Sequence, residues 1–340
     1  MRQGPAQTWS DDGSLASEGS YADDTKTGTW VEYWPSGVKK SEGAWSRDQR
    51  QGQWTYWFEN GNVERTGRYL NDKVHQAWVH NYETGGTWYE GEYLLGKPHG
   101  HWVYYHEDGS QDAEGDFLNG AKYGRWVHLH PNGDVKAEGR YTAGLRDGVW
   151  VHHYEGGQKE REGSYRSGRR TGSWTFWFPD GQIDRQTSYV NNQPHGLETI
   201  YYPAGEKEAS GTWANGERDG EWIYWYENGI RERLETWSMG KKEGRWVSWF
   251  PDGKLSFEGD LAAGQEHGRW VHRHANGQVK SDGSFDHGRP VGDWVSWYPN
   301  GQKSSEGSYV DGQRHGTWTY WNEDGTVRVR EEWVNGELRR

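Results

Sequence analysis

Histidines and carboxylates are the side chains here with most capacity for chemistry, and their spacing decides whether they use it. His128 and His130 stand two residues apart, and His152 follows His128 by 24. Residues two apart on a strand share a face, and imidazoles are good ligands for transition metals. A metal needs further ligands, however. The residues placed opposite, Ala113 and Ala137, offer none, and equivalent strands of successive hairpins lie about 9.5 Å apart. These histidines are therefore read as flat rings standing where other copies carry tyrosine in an aromatic ladder. His99, His195, His267 and His315 each precede a glycine and are expected to satisfy turn backbone groups. Glu18, Glu42, Glu90, Glu114, Glu138, Glu162, Glu258 and Glu306 recur in one column, as solvated sheet positions do. The chain contains no His-Glu-x-x-His, Gly-x-Ser-x-Gly, Gly-Lys-Ser phosphate loop or Gly-x-Gly-x-x-Gly, and no cysteine. No catalytic, cofactor-binding or metal-binding residue is assigned, and the chain is read as non-enzymatic.

What positions these residues follows from an unusual composition. Apolar residues make up only 31% of the 340, yet there are 25 Trp, 21 Tyr and 50 Gly. A chain so poor in aliphatic residues cannot fill a thick core, and a disordered chain would lack the rings. The expectation is a folded but thin protein whose packing is aromatic. A net charge of −12 argues against duplex nucleic acid and against strong binding to anionic membranes, since both need basic patches.

A 24-residue period runs through the whole chain. Glycines at 13, 37, 61 and onward to 325 fall at that interval, and ten of the fourteen follow Asn or Asp. A second column holds Trp30, Trp54, Trp78, Trp102, Trp126, Trp150, Trp174, Trp222, Trp246, Trp270, Trp294 and Trp318, with Glu198 the exception. Each of those tryptophans is followed by Val, Ile or Thr, which are strand formers. The repeat thus reads as strand, tight turn, strand, longer turn. Asn-Gly is the signature of a two-residue type I′ hairpin. The fold expected is all-β: a single-layer antiparallel meander of 14 hairpin repeats spanning 1–340 as one array, elongated and twisted.

Register follows by counting. If Ser36-Gly37 is the loop, Pro35 pairs with Val38, Trp30 faces Gly43 and Trp45 faces Gly28. Carried across the longer turn, Trp45 also faces Gly52 and Trp54 faces Gly43. Rings then cover Gly43, Gly67, Gly91 and Gly115, because a ring from the next strand can lie over backbone that a glycine leaves bare. The Trp30 column and these glycines are assigned a structural role. The other face carries Val31 and Tyr33 and their equivalents, with Lys40 and Glu42 between them. There Trp177, Trp225, Trp249, Trp297 and Trp321 stand opposite polar partners, and these five are the candidate partner-binding residues. One joint is expected to be weak, where Glu198 replaces the column Trp and its neighbour Thr187 replaces the covered Gly.

The stretch Tyr89-Glu90-Gly91-Glu92-Tyr93-Leu94-Leu95-Gly96-Lys97-Pro98-His99-Gly100 resembles the MORN repeat. Trp102, where the plain repeat often has a further Gly, resembles the second MORN variant found in bacterial proteins labelled YwqK-type antitoxins. The resemblance extends from Gly4 to the end. It implies a protein-binding scaffold, with toxin neutralisation or membrane-lipid contact as roles met in the family, and it carries no catalytic residues.

Function is accordingly expected to be non-catalytic protein binding, antitoxin-like or immunity-like. The alternative is a carbohydrate, cell-surface or lipid-headgroup module using an aromatic-lined sheet face. Self-association through a face or edge stays open. No apolar run reaches transmembrane length, and Met-Arg-Gln-Gly-Pro does not open a signal peptide. A cytoplasmic location is the default, with export left open for a chain trimmed of its leader. Polar residues in the first strand and charged ones in the last read as finished edges. A meander of 28 strands at about 4.8 Å spacing would extend on the order of 130 Å, so small-angle scattering should show an elongated particle; a compact one would point to a closed or folded-back sheet.

Overall fold

A computed structural model describes residues 1–339, in two compact units that divide between Arg169 and Arg170. All regular structure among the described residues is strand. In each unit consecutive strands pair antiparallel with their sequence neighbours, as in Thr25–Tyr33 with Lys39–Ser46 and Lys39–Ser46 with Gln49–Trp57. Among the described residues no helix is long and apolar enough to cross a membrane.

The expected ring-glycine opposition is present, but the turns that deliver it differ from those expected. At the Asn-Gly type of turn, Trp34 donates to the Val38 carbonyl and Gly37 to the Trp34 carbonyl, so the loop holds three residues, Pro35-Ser36-Gly37. Only the glycine has positive φ, whereas a type I′ turn requires it at both central residues. Asn or Asp is used instead as an acceptor: Asn60 Oδ1 takes the Asn62 N–H at 2.9 Å and Asn228 Oδ1 the Ile230 N–H at 3.0 Å. This is the turn-capping use of these side chains. The true two-residue turn is the one expected to be longer. Arg47 and Asp48 have φ of 51° and 60°, and Ser46 pairs directly with Gln49.

Bulges restore the register that these turns would shift. Glu32 pairs with Ser41 but Tyr33 with Lys39, leaving Lys40 as an extra residue. Gly43 pairs with Trp54 but Ala44 with Gln51, leaving Gly52 and Gln53 between them. Trp30 and Trp54 therefore both face Gly43, and Trp45 faces Gly28. Across the other turn Trp45 faces Arg50, not Gly52. Gly52 is needed for another reason. Its φ is 65° and nothing lies where a Cβ would project, so it supplies a left-handed bulge residue and no ring covers it.

The core is one layer of rings. Trp30, Trp54, Trp78, Trp102, Trp126, Trp150, Trp174, Trp222, Trp270 and Trp318 are all buried, Trp150 and Trp222 completely. A Cβ built on Gly43, Gly67, Gly91 or Gly115 would fall 2.1–2.6 Å from the ring of Trp54, Trp78, Trp102 or Trp126 respectively. The indoles over these four glycines also donate to a carbonyl ten residues earlier, as Trp54 Nε1 does to Ala44 at 3.1 Å and Trp126 Nε1 to Asp116 at 3.0 Å. Tyr, Phe or Trp from the next strand packs edge-on against it, as Tyr69 does on Trp78 with centroids 5.1 Å apart. A cation closes the other side of many squares, such as Lys122 at 3.7 Å from the Trp126 centroid. These contacts replace the thick core that the composition excludes.

Candidate functional site

On the opposite face, the Glu column pairs with the Val column, Glu42 with Val31 and Glu306 with Val295. The candidate stripe runs beside it. Tyr33 Oη donates to Glu18 at 2.7 Å and Tyr105 Oη to Glu90 at 2.9 Å. At two of the tryptophans a lysine lies near the ring: Lys207 is 6.0 Å from Trp225 and Lys303 5.9 Å from Trp321. Lys303 is also bonded to Glu306. Trp177, Trp225, Trp249, Trp297 and Trp321 all belong to the second unit and all are half-buried.

Their cross-strand partners are not uniformly polar, as counting had placed them. They are Ile183, Arg231, Leu255, Lys303 and Val327. The bulge one residue past each partner moves every pairing back by one, and this exchanges a polar column for a mixed one. The backbone behind the stripe is tied from repeat to repeat. Tyr202 Oη donates to the Trp225 carbonyl at 2.8 Å, Tyr226 Oη to that of Trp249 at 2.9 Å and Tyr298 Oη to that of Trp321 at 2.9 Å. His274 Nε2 lies 2.8 Å from the Trp297 carbonyl. The rings are thus held at fixed spacing before any partner docks, which lowers the ordering cost of binding.

The histidines divide into two groups. His128 faces Ala113 and Ala137, and His152 faces Ala137. His128 packs between Trp126 and Trp150, with centroids 6.1 and 6.4 Å away. Burial, with Arg161 adding to it, holds the His152 imidazole down at about 4. His130 instead reaches the His153 carbonyl at 3.0 Å. The glycine-preceding histidines do not serve the turns as expected. Nδ1 of His99 and of His315 is buried without a hydrogen-bond partner among the described residues. The turn N–H groups bond to backbone carbonyls, Gly120 to Pro98 and Gly96 to Val74.

Breaks in the squares are filled by carboxylates. Thr187 faces Trp174, and the pairs Arg185–Ile200 and Gln186–Thr199 lead it to the side of Glu198. Glu198 is buried and accepts from Trp213 Nε1 at 2.7 Å, with Arg185 at 3.8 Å. The reading of the sequence missed a second break. Glu235 occupies a covered-glycine position, facing Trp222 and Trp246. It is buried against Lys242 at 3.0 Å, Arg233 at 3.5 Å and Trp237 Nε1 at 3.2 Å. Trp246 is left half-buried, its Nε1 without a partner among the described residues. Glu331 repeats the pattern with Trp333. Trp213, Trp237 and Trp333 stand in a column otherwise mostly Tyr or Phe, but Trp45 shares that column beside an intact Gly43, so the indole alone did not mark the breaks.

Hydrogen exchange should be faster from Thr187 to Glu198 than from Gly211 to Trp222. The first segment lacks a ring-covered glycine, its strand is interrupted at His195, and Thr187 Oγ1 is buried without a partner. Repeat stability is set by nearest-neighbour interfaces. Equal protection of the two segments, read by mass spectrometry, would remove this joint.

Seven segments match the family model described as MORN repeat variant, at residues 50–71, 170–191, 218–238, 242–260, 266–287, 290–311 and 314–335, together under half of the chain. Their starts are separated by multiples of 24. MORN repeats are in general binding modules, which supports a non-catalytic binding scaffold. No protein of curated function matches by sequence. Among solved structures, the TcdB2-TccC3 crystal structure aligns at 11% identity over 96% of this chain with a TM-score of 0.18. This chain spans 21% of that one. The Photorhabdus luminescens Tc holotoxin pore aligns at 11% over 96%, covering 20% of its chain, TM-score 0.18. The TCP10 domain of Danio rerio CPAP, in complex with a STIL peptide, aligns at 12% over 97% of this chain and 99% of its own, TM-score 0.15. Overlap this low carries nothing over to this protein.

Proposed function

We propose that the protein is a protein-binding scaffold of the antitoxin-like kind, with Trp177, Trp225, Trp249, Trp297 and Trp321 as the recognition stripe. The observation that carries this reading is the contrast between the two faces. Trp126 and Trp270 are sealed over glycines and buried, whereas the stripe rings are half-buried, with a lysine stem near Trp225 and Trp321 and side-chain hydrogen bonds to the backbone carbonyls of Trp225, Trp249 and Trp321. Trp is favoured at binding hot spots because it buries a large rigid surface when a partner arrives.

Replacing Trp225 and Trp249 together by Ser should abolish capture of a stoichiometric protein partner while moving the thermal midpoint little. Retention of the chain on polysaccharide or liposomes, with no protein captured, would replace this reading by a sugar-binding or lipid-binding one. Unfolding of the double variant would show the stripe to be core.

A further inference from the structure

Each two-residue turn is held against the strand of the preceding hairpin. The second turn residue donates its N–H to a carbonyl 22 residues earlier, as in Gly240 to Arg218, Gly264 to Lys242 and Gly288 to Glu266. The first turn residue is thereby set beside the side chain 20 positions before it. In several other repeats this contact is an ordinary hydrogen bond. Asp219 accepts from the Met239 N–H and Glu243 from the Ala263 N–H at 2.8 Å, and Gln51 is bonded to Asn71. The same arrangement in one repeat sets His267 beside His287, ring centroids 5.5 Å apart, with Asp286 between them. Asp286 Oδ1 lies 2.7 Å from His287 Nδ1 and 3.5 Å from His267 Nδ1.

From this we propose that His267, Asp286 and His287 form a binding site for a divalent transition metal of the zinc class. One ligand atom from each lies within 4.8 Å of the other two. Ligands at 2.0–2.2 Å around a tetrahedral zinc are separated by roughly 3.3–3.5 Å, so closure requires shifts of about 1 Å or less on each side chain. All three are exposed, so χ rotation is free to supply these shifts. Two imidazoles and one carboxylate favour zinc, cobalt, nickel or copper over magnesium or calcium, which take oxygen ligands. Three protein ligands leave a tetrahedral ion one position for water or for a side chain from a partner.

The site does not follow from the repeat consensus. No other copy has His where His287 stands or Asp where Asp286 stands; neighbouring copies carry Asn215, Met239, Ala263 and Asp311 at the first position and Ala214, Ser238, Ala262 and Val310 at the second. Of the other consensus histidines, His75, His99 and His315 are partly buried; His195 is exposed like His267 but has Asn215 where His287 stands. Gly288 fixes the turn at φ 77° with His287 at 47°, so the backbone is set before a metal arrives.

The repeat supplies variants that the fold already tolerates, His287→Asn after Asn215 and Asp286→Val after Val310. Calorimetric titration of the full chain with ZnCl2 should show one binding equivalent that each variant loses or weakens about tenfold or more. CoCl2 should give a visible absorption band at that equivalent, displaced by ZnCl2 and not by MgCl2. Histidine-ring NMR of the unmodified chain, independent of any variant, should show ZnCl2 perturbing His267 and His287 together at sub-stoichiometric metal. Unchanged stoichiometry and affinity in both variants, or ring signals of His267 and His287 that do not respond, would overturn the site.

Discussion

Gly139→Ala should cost about 3 kcal/mol of local stability, as much as many truncations of a buried ring. The new Cβ would fall 2.3, 2.4 and 2.5 Å from three carbons of the Trp150 indole. That ring has no room to retreat. It is completely buried, its Nε1 donates to the Arg140 carbonyl at 3.1 Å, Tyr141 meets it edge-on at 5.1 Å, and the Arg146 guanidinium lies 4.4 Å from its centroid. Displacing it forfeits these contacts at once, whereas Trp150→Ala removes the ring and leaves a cavity.

The chain contains its own version of the experiment at Glu235, where the neighbouring Trp246 is half-buried and has lost its indole bond. The control is Gly148→Ala. Nothing lies within 4 Å of that Cβ, and only the φ of 78° opposes it, so the cost should be about 1 kcal/mol. Exchange free energies of amides around Trp150 separate the two, because a repeat array need not unfold in one step. Equal costs for Gly139→Ala and Gly148→Ala would mean that ring coverage does not hold the sheet together.

The Trp30–Gly43 opposition was legible because it depends only on the total offset between two strands. Two departures cancelled in that offset. A three-residue loop with one bulged residue leaves the same register beyond the bulge as a two-residue loop. A two-residue turn followed by the unpaired Gly52 and Gln53 does the same on the other side. The turn type itself was not legible, since Asn-Gly serves a type I′ turn through φ and a three-residue loop through the Asn side chain, and sequence alone does not separate them. For the same reason the stripe partners were displaced by one residue: they lie on the turn side of the bulge, where the cancellation has not yet occurred. The His267–His287 contact was out of reach because it joins residues of successive hairpins through the docking of a turn. No count along paired strands reaches it.

Acid should destabilise the first unit well above the range in which its carboxylates titrate. The rings of His80 and His152 are built into the aromatic layer, His80 stacked on Tyr89 at 4.4 Å and 5.9 Å from Trp78, and His152 at 6.2 Å from Trp150. Burial pushes both imidazoles down to about 4, with Arg65 acting on His80 and Arg161 on His152; His128 is lowered in the same way. An unfolded histidine titrates near 6.5. At pH 7 both states are neutral and nothing is lost. As pH falls below about 6.5 the unfolded chain takes up protons that the folded chain refuses, so stability declines and goes on declining until the folded value near 4 is reached.

The loss should be about 2 kcal/mol per residue at pH 5 and up to about 3 at pH 4 for each of His80 and His152. Carboxylates held low by their turns, such as Asp108 by Ser110, and Asp72 by Arg50 against its own burial, contribute only below their ordinary range near 4. Between pH 6.5 and 4.5 the histidines therefore act alone. Tyr56 and Tyr104 occupy the equivalent positions in other repeats, so His80→Tyr with His152→Tyr should fold and should flatten the stability curve over that window. A double variant with the same pH slope as the unmodified chain would mean that these rings are protonated without leaving the sheet, and that the aromatic layer admits charge.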